Sequence, residues 1–282
     1  MSDRMRSVDL NADLGEAFGP WPMGRDAELM AAVSSANIAC GWHAGDPAVM
    51  ARTVGLALDA GIALGAHPGY PDLAGFGRRS MAMGEDEVYG TTLYQVGALA
   101  AFAAARGARL SHVKPHGALY NDAATDPAKA RGVARAVRDA AGLYRAAGGE
   151  GAGGAVALGP SYPFLVGLPG SELEKAAAEL GLPYAREFFA DRAYDDGGRL
   201  VPRGRPGAVI HDAELAVART LRALEKGVVA SVGGLEIPMR FETICLHGDA
   251  PEAVAFARRL RAALEAAGIE VRPLVKRDRG GR

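Results

Sequence analysis

The chain has 282 residues, a length that suits one α/β barrel. Its 32 basic and 33 acidic residues leave a net charge of −1, so no global field draws it to nucleic acid or to an anionic membrane. The longest nearly apolar stretch, residues 96–105, falls short of the roughly 20 residues that span a bilayer, and the N-terminal MSDRMRSVDL lacks the apolar core of a signal peptide, so a cytoplasmic protein is expected.

Hydrophobic residues make up 49% of the chain, enough for a packed core. The two cysteines, Cys40 and Cys245, fall in apolar segments that read as buried strands, which predicts reduced and inert thiols.

Short runs rich in Val, Ile, Leu and Ala alternate with longer helical patterns, as in repeated βα units around a parallel sheet. A first strand over 7–11 runs into Asn11, Asp13 and Glu16. A second over 36–41 leads to His43 and Asp46, followed by a helix over 46–60. The third, 62–67, ends at His67, with Asp72, Arg78 and Arg79 beyond it and a helix over 85–106. The fourth, 110–115, delivers Lys114 and His116 ahead of a helix over 127–147. A fifth is predicted over 155–159, ending in Gly159-Pro160-Ser161, with a helix over 171–180 after it. The sixth, 184–190, carries Glu187 and leads to Asp191 and Arg192.

A long connection over 191–207 and a helix over 213–226 come next, then an irregular stretch over 228–240 in which Gly233 and Gly234 can turn a hairpin. The seventh strand, 242–247, closes with His247 and Asp249 before a helix over 251–267. Several helices open on Asp, Ser or Pro and stop at a glycine. The pattern predicts a single seven-stranded (β/α) barrel over residues 1–275 and a basic, solvated tail over 276–282.

Parallel βα folds gather their chemistry at the carboxyl ends of the strands, where the loops converge on one mouth. Four of the six histidines, His43, His67, His116 and His247, fall at such ends, whereas His112 lies within a strand and His211 precedes a helix. Asp13, His43 and His67 could meet as a two-histidine, one-carboxylate site for a divalent metal. The same residues could relay protons without metal while Lys114 stabilises negative charge on a carbonyl or phosphoryl oxygen.

Residues 149–154 match GxGxxG, but they follow a helix and precede a strand, the reverse of the dinucleotide-binding order. The sequence contains no GxxxxGK[ST], GxSxG or HExxH. Use of ATP would need an unfamiliar site or another subunit.

The segments DLNADLGE (9–16), NIACGWHAGDP (37–47), GAHPGYPDLAGFGRR (65–79) and HVKPHGALYND (112–122) closely resemble the LamB/YcsF family. REFFADRAY (186–194), LVPRGRPGAVI (200–210) and ICLHGD (244–249) extend the likeness over nearly the whole chain. The resemblance implies a seven-stranded, deacetylase-like barrel and a role as the A subunit of ATP-dependent 5-oxoprolinase, which opens the lactam of 5-oxoproline to L-glutamate. It also implies partner subunits B and C and the use of ATP with Mg2+ by the complex.

On that basis Lys114 and His116 are expected to stabilise developing charge, and Asp13 with His43 or His67 to activate water. Asn11, Glu16, Glu187, Arg192 and His247 are expected to hold substrate. Two alternatives use the same residues: a stand-alone metal-dependent deacetylase or amidohydrolase, and a noncatalytic substrate-binding subunit.

Overall fold

The computed structural model describes residues 7–146, 163–246 and 252–274. In chain order these form β1 (Ser7–Leu14), α1 (Asp26–Met30), β2 (Ser35–Ala39), α2 (Pro47–Asp59), β3 (Ala63–His67), α3 (Glu85–Ala104), β4 (His112–Val113), α4 (Gly117–Thr125) and α5 (Pro127–Ala146). There follow β5 (Phe164–Gly167), α6 (Glu172–Glu179), β6 (Tyr184–Phe189), α7 (Ala213–Lys226), β7 (Val228–Ala230), β8 (Glu236–Pro238), β9 (Thr243–Leu246), α8 (Ala253–Ala266) and β10 (Glu270–Val271).

Among the described residues, seven parallel strands close on themselves in the order β1-β2-β3-β4-β5-β6-β9, and β9 returns to pair with β1. The short β10 extends the start of β1, and β7 with β8 makes an antiparallel hairpin outside the barrel, as Gly233 and Gly234 suggest. The fifth barrel strand is Phe164–Gly167. The stretch predicted for it, 155–159, lies outside the described residues, as do the glycine-rich 149–154, His247, Asp249 and the tail 276–282. Phe164–Gly167 takes the fifth place by pairing with β4 on one side and β6 on the other.

Side-chain alternation along the strands separates two interiors. On β1, Val8, Leu10, Ala12 and Leu14 belong to the large apolar core that includes helix residues such as Val54, Leu99 and Leu260. The intervening Asp9, Asn11 and Asp13 instead bond to polar side chains of other strands inside the barrel: Asp9 to Thr243, Asn11 to Asn37 and Glu187, Asp13 to Lys114. The barrel is therefore filled by a polar network, and the hydrophobic core that stabilises the fold lies in the shell between sheet and helices. Gly65 makes room for this filling, since a Cβ there would sit 2.0 Å from His112 Nε2.

Helix starts are fixed locally. Asp46 caps α2 through Ala48 N and Val49 N with Pro47 in the first turn, and Asp212 caps α7 through Glu214 N and Leu215 N. The connection after β6 is ordered into a small lobe. Its backbone is pinned by Ala193 N to Ala208 O, Val201 N to Ala193 O and Ile210 N to Asp191 O, over an apolar cluster of Ala193, Val201 and Ala208. Among the described residues, no helix is long and apolar enough to cross a membrane.

Candidate active site

The parallel strands bring their carboxyl ends to one rim, where a pocket of about 470 Å³ opens. Asp13, Glu16, His67, Lys114 and His116 reach its wall from the strand ends, and Tyr120, Phe189, Arg192 and Arg203 complete other parts of it. A volume of this order accommodates a small organic ligand.

Below the mouth, Lys114 is the hub of the polar network. Its Nζ donates to Asp13 Oδ1 at 2.9 Å, Asn11 Oδ1 at 3.3 Å and Cys245 Sγ at 3.0 Å, and lies 3.1 Å from Glu187 Oε1. Burial opposes its charge, but the Asp13 and Glu187 carboxylates, helped by the hydrogen bond to Cys245 Sγ, outweigh that effect and hold the ammonium protonated well above its ordinary range. Burial pushes the Cys245 thiol well up against the pull of Lys114, and pushes Cys40 up to about 12. Both cysteines are free and buried, in line with inert thiols.

Asn37 donates to Asn11 Oδ1 at 2.6 Å and Asp13 Oδ1 at 2.8 Å, while Asn11 donates to Glu187 Oε1 at 3.1 Å and Thr243 Oγ1 at 2.6 Å. With its amide thus committed, Asn37 offers Oδ1 to His112 Nε2 at 2.7 Å, which places the His112 proton on Nε2. Burial, then the Lys114 charge, lower the His112 pKa to about 3, so the ring is neutral.

Asn11 and Glu187, assigned above to substrate binding, are fully enclosed in the network and hold Lys114 and Thr243. The cause is that β1 runs on to Leu14, so Asn11 is mid-strand and faces inward. Conversely, His112 lies two residues from Lys114 on the same face of β4; alternation could have found both it and Asn37.

At the rim three imidazoles converge. His67 Nδ1 donates to Lys114 O at 2.7 Å, and His116 Nε2 donates to Phe76 O at 2.8 Å. Their remaining nitrogens, His67 Nε2 and His116 Nδ1, are 3.0 Å apart. His43 stacks flat on His116, with ring centroids 3.8 Å apart, and neither of its buried ring nitrogens has a hydrogen-bond partner among the described residues. Burial, reinforced by the neighbouring imidazoles, holds His43 and His116 neutral, well below the ordinary histidine range. Gly77, at φ +63°, lets the loop after β3 close over these rings, because a Cβ there would lie 2.7 Å from His43 Cβ.

Glu16 Oε1 is 3.6 Å from His43 Nε2 and 3.7 Å from His116 Nδ1. One donor atom each from Glu16, His43, His67 and His116 falls within a 4.8 Å cluster. This group shares His43 and His67 with the Asp13, His43 and His67 set expected from the sequence and adds Glu16 and His116. Asp13 Oδ1 is taken by Lys114 and Asn37, although its Oδ2 stays 3.3 Å from His67 Nε2. Glu16 and His116 enter because the turn after β1 and the start of α4 meet at the rim. Three imidazoles and a carboxylate, with one buried ring left without hydrogen bonds, fit a divalent ion of the nitrogen-and-oxygen-binding type.

Arg192 reaches the pocket wall, but its guanidinium also braces the lobe after β6. Asp46 and Asp72 serve locally, the first as the α2 cap and the second bound by Arg79. Tyr120, not anticipated from the sequence, is buried against Phe189 with its hydroxyl lacking a hydrogen-bond partner among the described residues. Burial and the Glu187 carboxylate push its phenol well up.

The LamB/YcsF family model matches residues 8–279. The chain belongs to the LamB/YcsF family. It is 54% identical over 269 residues to the 5-oxoprolinase A subunit of Methylococcus capsulatus, covering 95% of this chain and 96% of that one. The 5-oxoprolinase A subunit of Brevibacillus brevis is 46% identical, covering 95% and 98% respectively. The crystal structure of a lactam utilization protein from Thermus thermophilus superposes with a TM-score of 0.82 at 46% identity, over 95% of this chain and 100% of that one. The barrel fold is thus shared with a solved relative.

Proposed function

We propose that this chain is the A subunit of an ATP-dependent 5-oxoprolinase and supplies the site at which the lactam of 5-oxoproline is opened to L-glutamate. The observation that carries this reading is identity of 46–54% over nearly the full length with proteins named as the A subunit of 5-oxoprolinase. The rim suits the reaction. A γ-lactam is a resonance-stabilised amide, and phosphorylation of its oxygen would make the same carbon a better electrophile for water, which gives ATP coupling a physical reason. Partner subunits B and C complete the enzyme, and ATP with its Mg2+ serves the complex; this chain carries no P-loop, so any ATP contact of its own would use an unfamiliar site.

Asp13 is the natural acceptor of a proton from water, since Lys114 and Asn37 fix Oδ1 and leave Oδ2 beside His67. Lys114, paired with Asp13 and Glu187, orients Asp13, and because it also reaches the pocket wall it can stabilise negative charge developing on a bound carbonyl oxygen. A divalent ion held by Glu16, His43, His67 and His116 would polarise the carbonyl and lower the pKa of water.

Glutamate release from 5-oxoproline and ATP, assayed with the chain alone and with partner subunits, tests the proposal. The chain alone should be nearly inactive and the partners should restore turnover. Vigorous ATP-dependent turnover by the chain alone would overturn the subunit reading. The histidine and glutamate cluster favours one other reading, a stand-alone metal-dependent amidohydrolase, which predicts hydrolysis without ATP once a divalent ion is added.

A further inference from the structure

Part of the pocket wall comes from the lobe that follows β6. Arg192 is only 6% exposed there, and its guanidinium is fixed by donating from Nη2 to Val201 O at 2.6 Å and from Nε to Ala208 O at 3.3 Å. Farther along the same lobe, Arg203 reaches the same pocket and is half-buried. Burial, and next the Arg203 charge, lower the Arg192 pKa, while Asp191 partly offsets them.

The three other cations of this wall are engaged elsewhere, Lys114 with Asp13 and Glu187, Arg199 with Asp195, and Arg78 over the Phe76 ring. Among the described residues, neither Arg192 nor Arg203 has a carboxylate at ion-pair distance, and Arg203 makes no hydrogen bond. Two guanidinium groups within electrostatic range, one of them desolvated, repel each other unless an anion joins them. The backbone carbonyls that hold Arg192 leave Nη1 uncommitted, and the planar fork of arginine matches the oxygens of a carboxylate or phosphate.

We propose that Arg192 and Arg203 form an oxyanion subsite on the pocket wall that binds the anionic group of the ligand, a carboxylate or a phosphoryl group. The identity of that ligand rests on the lactam reading; the subsite rests on the two arginines. In 5-oxoproline the anion would be the carboxylate, and in a lactam phosphorylated on oxygen it would also be the phosphoryl group. Either anchor fixes the ring so that its carbonyl carbon is presented to the rim.

The test is calorimetric binding to the full chain of three probes: 5-oxoproline, the neutral 2-pyrrolidinone that lacks its carboxylate, and inorganic phosphate. Arg203 is the residue to vary, because its guanidinium holds no part of the lobe. Arg203→Gln should weaken 5-oxoproline, phosphate or both by roughly tenfold, while Arg203→Lys retains part of the affinity. Loss confined to 5-oxoproline assigns the subsite to a carboxylate, and loss confined to phosphate assigns it to a phosphoryl group. Binding of 2-pyrrolidinone should be weaker than that of 5-oxoproline and insensitive to the substitution.

Equal binding of both lactams with no effect of Arg203→Gln on any probe would overturn the subsite and leave the lactam reading intact. Phosphate binding that depends on Arg203, with neither lactam bound, would keep the subsite and overturn the lactam ligand. Failure of both anions to bind would overturn the subsite.

Discussion

His67 Nε2 and His116 Nδ1 lie 3.0 Å apart, and each ring has already committed its other nitrogen to a backbone carbonyl. His116, held neutral by burial, spends its one proton on Phe76 O and presents a bare Nδ1 there. A cation between the two nitrogens would accept that lone pair together with His67 Nε2.

A metal-binding measurement follows directly. The chelator-treated chain, given Zn2+, Mn2+ or Co2+, should bind about one equivalent of at least one of these ions and melt at a higher temperature. Glu16→Gln and His67→Gln should each weaken that binding by about tenfold or more. A chain that takes up none of the three ions has no cation site at the rim.

Lys114→Met tests the network. The substitution keeps much of the stem but leaves Asp13 and Glu187 as buried carboxylates without their cation, which should destabilise the fold by about 3–5 kcal/mol. Adding Glu187→Gln to it should recover part of the loss. Denaturant titration of both variants gives the answer, and an unchanged midpoint for Lys114→Met would show that its charge is not what holds the two carboxylates.

The His112 pKa, lowered to about 3 from 6.5, gives stability a sign with pH. Below pH 6.5 the unfolded chain binds a proton that the folded chain refuses. The His112 contribution is therefore fully present above the unfolded pKa and is lost as pH falls toward the folded one, at roughly 1.4 kcal/mol per pH unit. Asp9, raised by burial, acts oppositely just above its unfolded pKa of 3.8, where folding favours the protonated acid. His112→Gln, measured by urea unfolding in the presence of chelator, should flatten the slope between about pH 6 and pH 4; a slope as steep as the parent chain's removes His112 as its source.

Asp13→Asn keeps the side-chain shape and removes its charge and basicity. In the reconstituted complex it should lower glutamate release by at least about a hundredfold. Full turnover would exclude Asp13 as the proton acceptor.

The barrel was legible from the sequence because alternation of apolar runs and helical patterns is a local property. Asp13, His43, His67, Lys114 and His116 could be placed near one rim because parallel strands share a direction. What the sequence left open was which side chains turn inward, how far each strand runs and which groups touch. The extension of β1 to Leu14 moved Asn11 from the mouth into the filling of the barrel. The register of β1 with β9 set Asn11 against Cys245 and brought Lys114 within reach of both Asp13 and the Cys245 thiol. Glu16 joins His43 and His116 only when the turn after β1 folds back over the rim, and Arg203 joins Arg192 only through the hydrogen bonds of the lobe after β6. These are long-range contacts between segments far apart in the chain, decided by strand closure and loop packing, and no local periodicity encodes them.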